Sequence, residues 1–271
     1  MGVLASVLAA VLAAASAGLP SRLSANPILL TGGSVASAPD APAGLGMPSP
    51  PSVAGETAKQ AHIRTLITEA WGDATATWPV VIGQRTFESD PPQINFVAAV
   101  RASHCYGLYI SPGPVYCSGN NTVFVSLSEM ERVSSRIAGV GDLGLAFLVA
   151  HELGHHVQKV RGRFRVLSAL VRAAPQLQRE LSLRFELEAD CLAGIWAGKS
   201  PKFATLAGAR EAMLTAIDAI GDDKVQLASA GLVNPATFTH GTSAQRVRWF
   251  KAGVDGGTIE SCDVLNAAII D

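Results

Sequence analysis

The chain of 271 residues carries 21 Lys and Arg against 22 Asp and Glu, for a formal net charge of -1 at pH 7. Neither sign of charge forms a long run, so the sequence lacks the basic patch of a nucleic-acid-binding protein, and no nucleic-acid partner is expected. The stretch from about Ala58 onward is long enough to bury one sizeable hydrophobic core.

Residues 1–21, MGVLASVLAAVLAAASAGLPS, are apolar and contain no charged side chain. A signal peptide fits this composition, with Ala15, Ser16 and Ala17 as a small-residue cleavage site, although the usual positive charge before the apolar run is missing. An uncleaved membrane anchor through residues 2–19 fits as well. Both of these predict export, with the folded domain either secreted or membrane-anchored outside the cytoplasm. The third alternative is a disordered apolar tail on a cytoplasmic protein.

Residues 22–57 are rich in Ala, Pro, Gly and Ser and predict a disordered linker, because such a segment cannot bury enough apolar surface to order itself. Helical periodicity starts at Ala58, where Ile63, Leu66, Ile67 and Trp71 recur at three- and four-residue steps. The folded domain is therefore expected to span residues 58–271.

Between about Trp78 and Leu127 the pattern changes to short apolar runs broken by Gly and Pro, with INFVAAV, YGLYI, PVYC and NTVFVSL as candidate strands. The rest of the domain predicts helices, near residues 128–138, 142–159, 178–197, 203–220 and 243–253. The predicted fold class is α+β, dominated by helices, with a small β region before the helix that contains His151.

The segment His151-Glu152-Leu153-Gly154-His155 lies within one of the predicted helices. Residues four apart share a helix face, so the two imidazoles would converge on one point, as zinc ligands do. Glu152 projects roughly 100° around the helix from His151, which suits a general base that contacts a water at the metal without binding the metal. His156 points away from that face and is expected beside the site or at the surface.

A second polar pair, Glu186 and Asp190, is also spaced by four residues, in the next strong helix. Glu186 is the candidate third metal ligand, while Asp190 would accept a hydrogen bond from the outer N–H of a ligating histidine. Glu188 would be an equal candidate if the segment were merely a polar helix face. Glu186 is preferred because only it pairs with an acid one turn later.

These motifs resemble those of the putative neutral zinc metallopeptidase family of bacteria. The resemblance rests on HELGHHVQ, ELEADCLAGIWA and FTHGTSAQRVRWFKAG, together with CYGLYISPGPVYCSGNNTVFVSL upstream, and covers about Ala58 to Asp263. It implies a zincin-like fold similar to the gluzincins, one Zn²⁺ per chain held by His151, His155 and Glu186, and a peptide or protein substrate.

The resemblance also implies roles for two later residues. His240 would donate to the oxyanion that forms during attack on the scissile carbonyl, although Gly241 stands where the usual motif has Pro. The alternative is that His240 only caps the next helix or lies in the turn before it. Arg246 would hold the loop of His240 or pair with an acid near the site.

For the four cysteines, the resemblance together with loop closure implies disulfides Cys105–Cys117 and Cys191–Cys262. The run TVFVSL is expected either in a sheet that holds substrate as an added strand or as a plain core strand. The predicted activity is zinc-dependent endopeptidase hydrolysis with Glu152 as base. The alternatives are a catalytically inactive zinc-binding envelope protein and a hydrolase of a non-peptide amide.

Overall fold

The computed structural model describes residues 55–83, 87–105, 113–137 and 139–271. The predicted signal peptide or anchor at residues 1–21, most of the linker at 22–57 and the candidate strand YGLYI lie outside the described residues. Helix dominates the described part, and a small three-stranded sheet precedes most of the helices along the chain. The α+β prediction is therefore confirmed.

The first helix, α1 (Ala58–Ile82), begins with a capping box in which Thr57 and Gln60 bond each other's backbone N–H groups. Its apolar face buries Trp71 and Trp78. The expected end of this helix at about Trp78 is wrong, because the helix continues through Pro79 to Gly83, which has a φ of 90°. Proline removes only one late backbone hydrogen bond, and burial of the neighbouring Trp78 favours the extra turn.

Three strands follow: β1 (Gln93–Val97), β2 (Val115–Cys117) and β3 (Thr122–Ser126). The sheet order is β1-β3-β2, with β1 parallel and β2 antiparallel to β3. β3 is buried along its whole length and paired on both sides. β3 is therefore the central strand of the described sheet, with β1 and β2 at its edges, and whether this sheet holds substrate as an added strand stays a prediction.

Seven helices complete the described part. They are α2 (Leu127–Arg136), α3 (Gly141–Val160), α4 (Arg163–Ala173), α5 (Gln178–Lys199), α6 (Ala209–Ala219), α7 (Asp222–Ala230) and α8 (Ser243–Gly256). The core lies around α3 and α5, with α1, α6 and α8 packed against them. No helix of the described residues combines the length and the hydropathy that crossing a bilayer requires.

The crossing of α5 and α8 depends on glycine. A Cβ atom on Gly194 would lie 2.1 Å from the carbonyl oxygen of Phe250, and one on Gly253 would lie 1.9 Å from that of Cys191. Real Cβ atoms do not approach backbone oxygens so closely. The two helices therefore pack backbone against backbone, which fixes α8 relative to the residues of α5.

Both cysteine pairings implied by the resemblance are present. Cys105 is bonded to Cys117 across a separation of 12 residues, and Cys191 to Cys262 across 71. The second bond ties the segment after α8 to the middle of α5.

Candidate metal centre

The structure brings three candidate ligands together from two helices. His151 and His155 lie one turn apart on α3, and Glu186 faces them from α5. The Glu186 Oε2 atom is 3.3 Å from His151 Nε2 and 3.2 Å from His155 Nε2. The three ligand atoms lie within 4.8 Å of one another, a group that could hold a metal ion.

Close packing of α3 and α5 explains why the two motifs meet. Gly154 lies against Ala189, and a Cβ atom on Gly154 would be 3.0 Å from the Ala189 carbonyl oxygen. A larger residue at position 154 would have to push α5 away. The glycine inside the histidine motif therefore sets the distance between the imidazoles and Glu186.

The donor set fits zinc. Bonds of about 2.0–2.2 Å in a tetrahedral arrangement place neighbouring ligand atoms about 3.3 Å apart, close to the two distances from Glu186 to the imidazoles. Two imidazole nitrogens and one carboxylate oxygen also form the usual ligand set of catalytic zinc sites. Among the described residues no fourth His, Cys, Asp or Glu joins the group, so the set leaves a coordination position for water or substrate.

The outer nitrogen of His151 faces a fully buried ion pair. His151 Nδ1 lies 2.8 Å from Asp190 Oδ1. Arg246 donates to both oxygens of Asp190, with each N–O distance 2.9 Å, and also to the carbonyl oxygen of Ile220. With Nδ1 bonded to the carboxylate, the Nε2 lone pair of His151 is directed toward the centre. The structure thus places Asp190 and Arg246 in contact with each other behind the first histidine.

Gln158 holds the outer nitrogen of His155, as Asp190 holds that of His151. The His155 Nδ1 atom is 2.7 Å from Gln158 Oε1, and the Gln158 amide donates to the carbonyl oxygen of Phe185 at 2.8 Å. This second bond identifies the oxygen end of the amide as the one that faces His155, so His155 Nδ1 is the donor. Both histidines therefore turn Nε2 toward Glu186.

Glu152 lies beside the ligands without joining them. Its Oε2 atom accepts a hydrogen bond of 2.6 Å from the backbone N–H of Tyr116 on the edge strand β2. Burial raises the pKa of Glu152, against the opposing effect of the His155 and His151 side chains. The strand therefore orients the carboxylate while one oxygen stays available for proton transfer.

Electrostatics at the centre keep Glu186 ionised. Burial alone would raise the pKa of Glu186, but the charges of His155 and His240 and a hydrogen bond from His151 hold it well below its ordinary range. Burial likewise lowers the pKa of His151, yet its hydrogen bonds with Asp190 and Glu186 outweigh this and raise it to about 10. Glu186 is therefore ionised, the form in which a carboxylate binds metal, whereas His151 would have to release the proton on Nε2 when it binds one.

His240 also lies beside Glu186. Its Nε2 atom is 3.6 Å from Glu186 Oε2, and its Nδ1 atom is 2.8 Å from the hydroxyl oxygen of Thr239. Its ring centroid lies 5.8 Å from that of His151. The structure thus places the Nε2 side of His240 next to Glu186 and His151.

Asp222 fixes the backbone that carries His240. Its Oδ2 atom accepts from the backbone N–H groups of Thr239, His240 and Gly241, at 2.7, 2.7 and 2.9 Å. The N–H of Asp222 donates in turn to the Gly241 carbonyl oxygen at 2.9 Å. Between these two ends, residues 224–237 are almost entirely exposed. Asp222 therefore joins the two ends of this exposed segment through hydrogen bonds.

The remaining polar candidates point elsewhere. Glu188 is turned away from the centre and forms a bidentate pair with Arg163, with N–O distances of 2.8 and 2.7 Å. His156 is completely buried, its Nδ1 atom 3.0 Å from the hydroxyl of Tyr116, so the expectation of a surface position is wrong. Burial lowers the pKa of His156 to about 4, which keeps it neutral. Because Glu188 and His156 are held away from the centre by these partners, Glu186 is the carboxylate that faces the two histidines.

Sequence reasoning missed three residues that shape the site: Gln158, Tyr116 and Asp222. Gln158 follows His155 by three residues on the same helix, a spacing that could have identified it. Tyr116 acts through its backbone, and Asp222 through bonds to residues far along the chain, so side-chain patterns do not reveal either contact.

Comparison with known proteins finds similar sequences in Escherichia coli and Mycobacterium tuberculosis. The chain is 41% identical over 159 residues to the uncharacterized protein YpfJ of Escherichia coli (strain K12), covering 58% of this chain and 55% of that protein. It is 34% identical over 168 residues to the uncharacterized protein Rv2575 of Mycobacterium tuberculosis (strain ATCC 25618 / H37Rv), covering 58% and 56%. The chain thus spans about half the length of the curated relatives it matches.

No solved structure matches the chain. A family model described as "Putative neutral zinc metallopeptidase" matches residues 35–265, which include every candidate ligand and both disulfides. The chain belongs to this zinc metallopeptidase family.

Proposed function

We propose that this protein is a zinc metalloendopeptidase that hydrolyses peptide bonds in peptide or protein substrates, with one Zn²⁺ per chain. The observation that carries the proposal is the arrangement of His151, His155 and Glu186 around one point, with Glu152 beside them. Three ligands and a separate carboxylate are the parts of a catalytic zinc site, whereas a structural site is closed by four protein ligands.

Zinc, when bound, polarises the scissile carbonyl and lowers the pKa of a coordinated water toward 7. Glu152 takes the proton of the attacking water and passes it to the leaving amine. The Tyr116 N–H holds the carboxylate of Glu152 in one orientation during both transfers. His240 donates from Nε2 to the oxyanion, a role in which the loss of one donor costs about 10²- to 10³-fold in kcat.

We also propose that the domain works outside the cytoplasm. The two disulfides support this, since such bonds persist mainly in oxidising compartments. The apolar residues 1–21 support it from the sequence, with residues 2–19 as the part that could attach to a membrane.

Substitution of Glu152 by Gln tests the proposal, because the amide keeps an acceptor for the Tyr116 N–H but cannot take a proton. The full-length chain is loaded with zinc, and cleavage of a diverse peptide library is followed by mass spectrometry. We expect hydrolysis by the wild type, none by Glu152→Gln, and equal zinc content in both proteins.

Three other results would each contradict the proposal. Full activity of Glu152→Gln would remove Glu152 as the base. Zinc binding by the wild type without cleavage of any amide would indicate a catalytically inactive zinc protein. Cleavage restricted to non-peptide amides, lost in Glu152→Gln, would indicate the same chemistry on another substrate class.

A further inference from the structure

A cleft of about 610 Å³ opens beside the metal centre, between the first turns of α5 and the segment that precedes His240. Its walls include Gln178, Arg179, Ser182 and Glu186 on α5 and Thr237, Phe238 and Thr239 on the facing segment. Because Glu186 is both a candidate zinc ligand and part of the wall, the cleft is continuous with the place where a scissile bond would lie.

The wall opposite α5 is connected to the catalytic groups as well. Thr239 lies in this wall, and its hydroxyl oxygen is 2.8 Å from Nδ1 of His240. Phe238, which is buried, contributes an apolar part to the wall. A peptide bound beside Glu186 and His240 would therefore place a neighbouring side chain in this cleft.

Two charged residues line the cleft. Among the described residues that line it, Arg179 is the one cation, and Glu186, which faces the metal centre, is the one acid. Arg179 donates to the carbonyl oxygen of Pro235, a neutral group that uses one of its five N–H donors. The nearby Glu180 pairs instead with Arg184, at 3.0 Å. No carboxylate of the described part therefore neutralises Arg179.

The start of α5 adds to this positive character. The helix begins at Gln178, whose N–H donates to the Pro175 carbonyl oxygen, and its N-cap, Leu177, makes no side-chain cap hydrogen bond. A helix N-terminus carries a partial positive charge, which reinforces that of the guanidinium.

We propose that this cleft is a substrate subsite that binds an acidic side chain close to the scissile bond, with Arg179 as the residue that determines specificity. The proposal rests on the proposed peptidase function and adds a substrate class to it. Arg179 offers two parallel N–H donors to a carboxylate, while Ser182, Thr237 and Gln178 can supply further hydrogen bonds at the walls.

The test uses the full-length, zinc-loaded protein and peptides that differ only in carrying Glu, Gln or Lys at one position near the cleaved bond. For the wild type we expect kcat/KM to favour Glu over Lys by about tenfold or more, an effect that falls with added salt because the pair is partly exposed. In Arg179→Glu the order of Glu and Lys reverses. Lys251→Glu, an equal change of charge at an exposed position of α8, keeps the wild-type order.

A binding measurement separates failure of the subsite from failure of the peptidase. Peptide hydroxamates with Glu or Lys beside the zinc-binding group are titrated calorimetrically into the wild type and Arg179→Glu, which requires no turnover. We expect the wild type to bind the Glu peptide with the lower Kd, and Arg179→Glu to bind the Lys peptide with the lower Kd. Cleavage or binding without any preference for the acidic peptide would overturn the subsite alone, whereas reversal in binding without cleavage would overturn only the peptidase.

Discussion

Each candidate zinc histidine has its outer nitrogen held by a different kind of acceptor. For His151 the acceptor is the Asp190 carboxylate, which is itself bound by Arg246 inside the core. For His155 it is the neutral amide of Gln158, which is anchored to a backbone carbonyl. Removing one member of a buried ion pair costs about 3–5 kcal/mol in stability, so changes at Asp190 would mix effects on folding and on metal binding. Gln158 allows a cleaner test.

We expect Gln158→Leu to weaken zinc binding about 10- to 100-fold, because His155 loses the hydrogen bond that fixes its tautomer and orientation. Competition with a chromophoric chelator measures the change. Gln158→Glu, which keeps an acceptor for His155, should retain more of the affinity than Gln158→Leu. Wild-type zinc affinity in the leucine variant would show that Gln158 does not orient His155.

At the scale of single residues, the sequence predicted the side chains that face the metal centre, and it missed Gln158 and the contacts that involve the backbone. His151 and His155 follow from helix spacing alone, and Glu186 from its pairing with Asp190. The contact of Glu152 with the N–H of Tyr116 depends on where the edge strand β2 lies over α3. Tertiary packing sets that position, and the local periodicity of the sequence carries no information about it.

Among the secondary-structure elements, the crossing of α5 and α8 sets the position of Arg246 against Asp190. Gly194 sits at this crossing, with the Phe250 carbonyl oxygen where a side chain would begin. Gly72 in α1 provides a matched control, because nothing lies within 4 Å of the Cβ position there.

We expect Gly194→Ala to lower the free energy of unfolding by about 1–3 kcal/mol or more, since the helices must separate. Gly72→Ala should raise it by roughly 0.5–1 kcal/mol, because alanine loses less conformational entropy in a helix. Urea unfolding followed by circular dichroism measures both. Stabilisation by both substitutions would contradict backbone contact at the crossing.

The segment between α7 and α8 should transmit changes at Asp222 to His240. We expect Asp222→Ala to lower kcat by up to about 10²-fold, because the three backbone N–H groups lose their common acceptor and the imidazole moves. In a His240→Ala background the same change should have little further effect on kcat. An equal loss in both backgrounds would mean that Asp222 supports the fold and not the position of His240.

The elements themselves were predictable where hydrophobic periodicity was strong. The helices α3 and α5 lie within one or two residues of their expected bounds. α4 and α7 were not foreseen: α4 buries only Leu170, and α7 buries no residue. α4 does carry apolar residues at helical spacing, Phe164, Leu167, Leu170 and Val171, which the sequence reasoning overlooked, whereas α7 offers no buried apolar face.

For the molecule as a whole, the disulfide Cys191–Cys262 joins residues 71 apart, whereas Cys105–Cys117 joins residues 12 apart. In the chain-entropy account, the disulfide that closes the longer loop removes more conformational entropy from the unfolded state. Replacing both cysteines of the long pair by alanine should cost about 4 kcal/mol in the free energy of unfolding, against about 3 for the short pair. Urea unfolding compares them, and a larger loss for the short pair would contradict this account.

The central claim is that His151, His155 and Glu186 form one zinc site. Zinc per chain, measured by inductively coupled plasma mass spectrometry after dialysis against a weak chelator, tests it most directly. We expect one zinc in the wild type and in Glu188→Gln, whose side chain faces Arg163, and a marked loss in Glu186→Ala. Wild-type zinc content in Glu186→Ala, or loss of zinc only in Glu188→Gln, would contradict the assignment of this site.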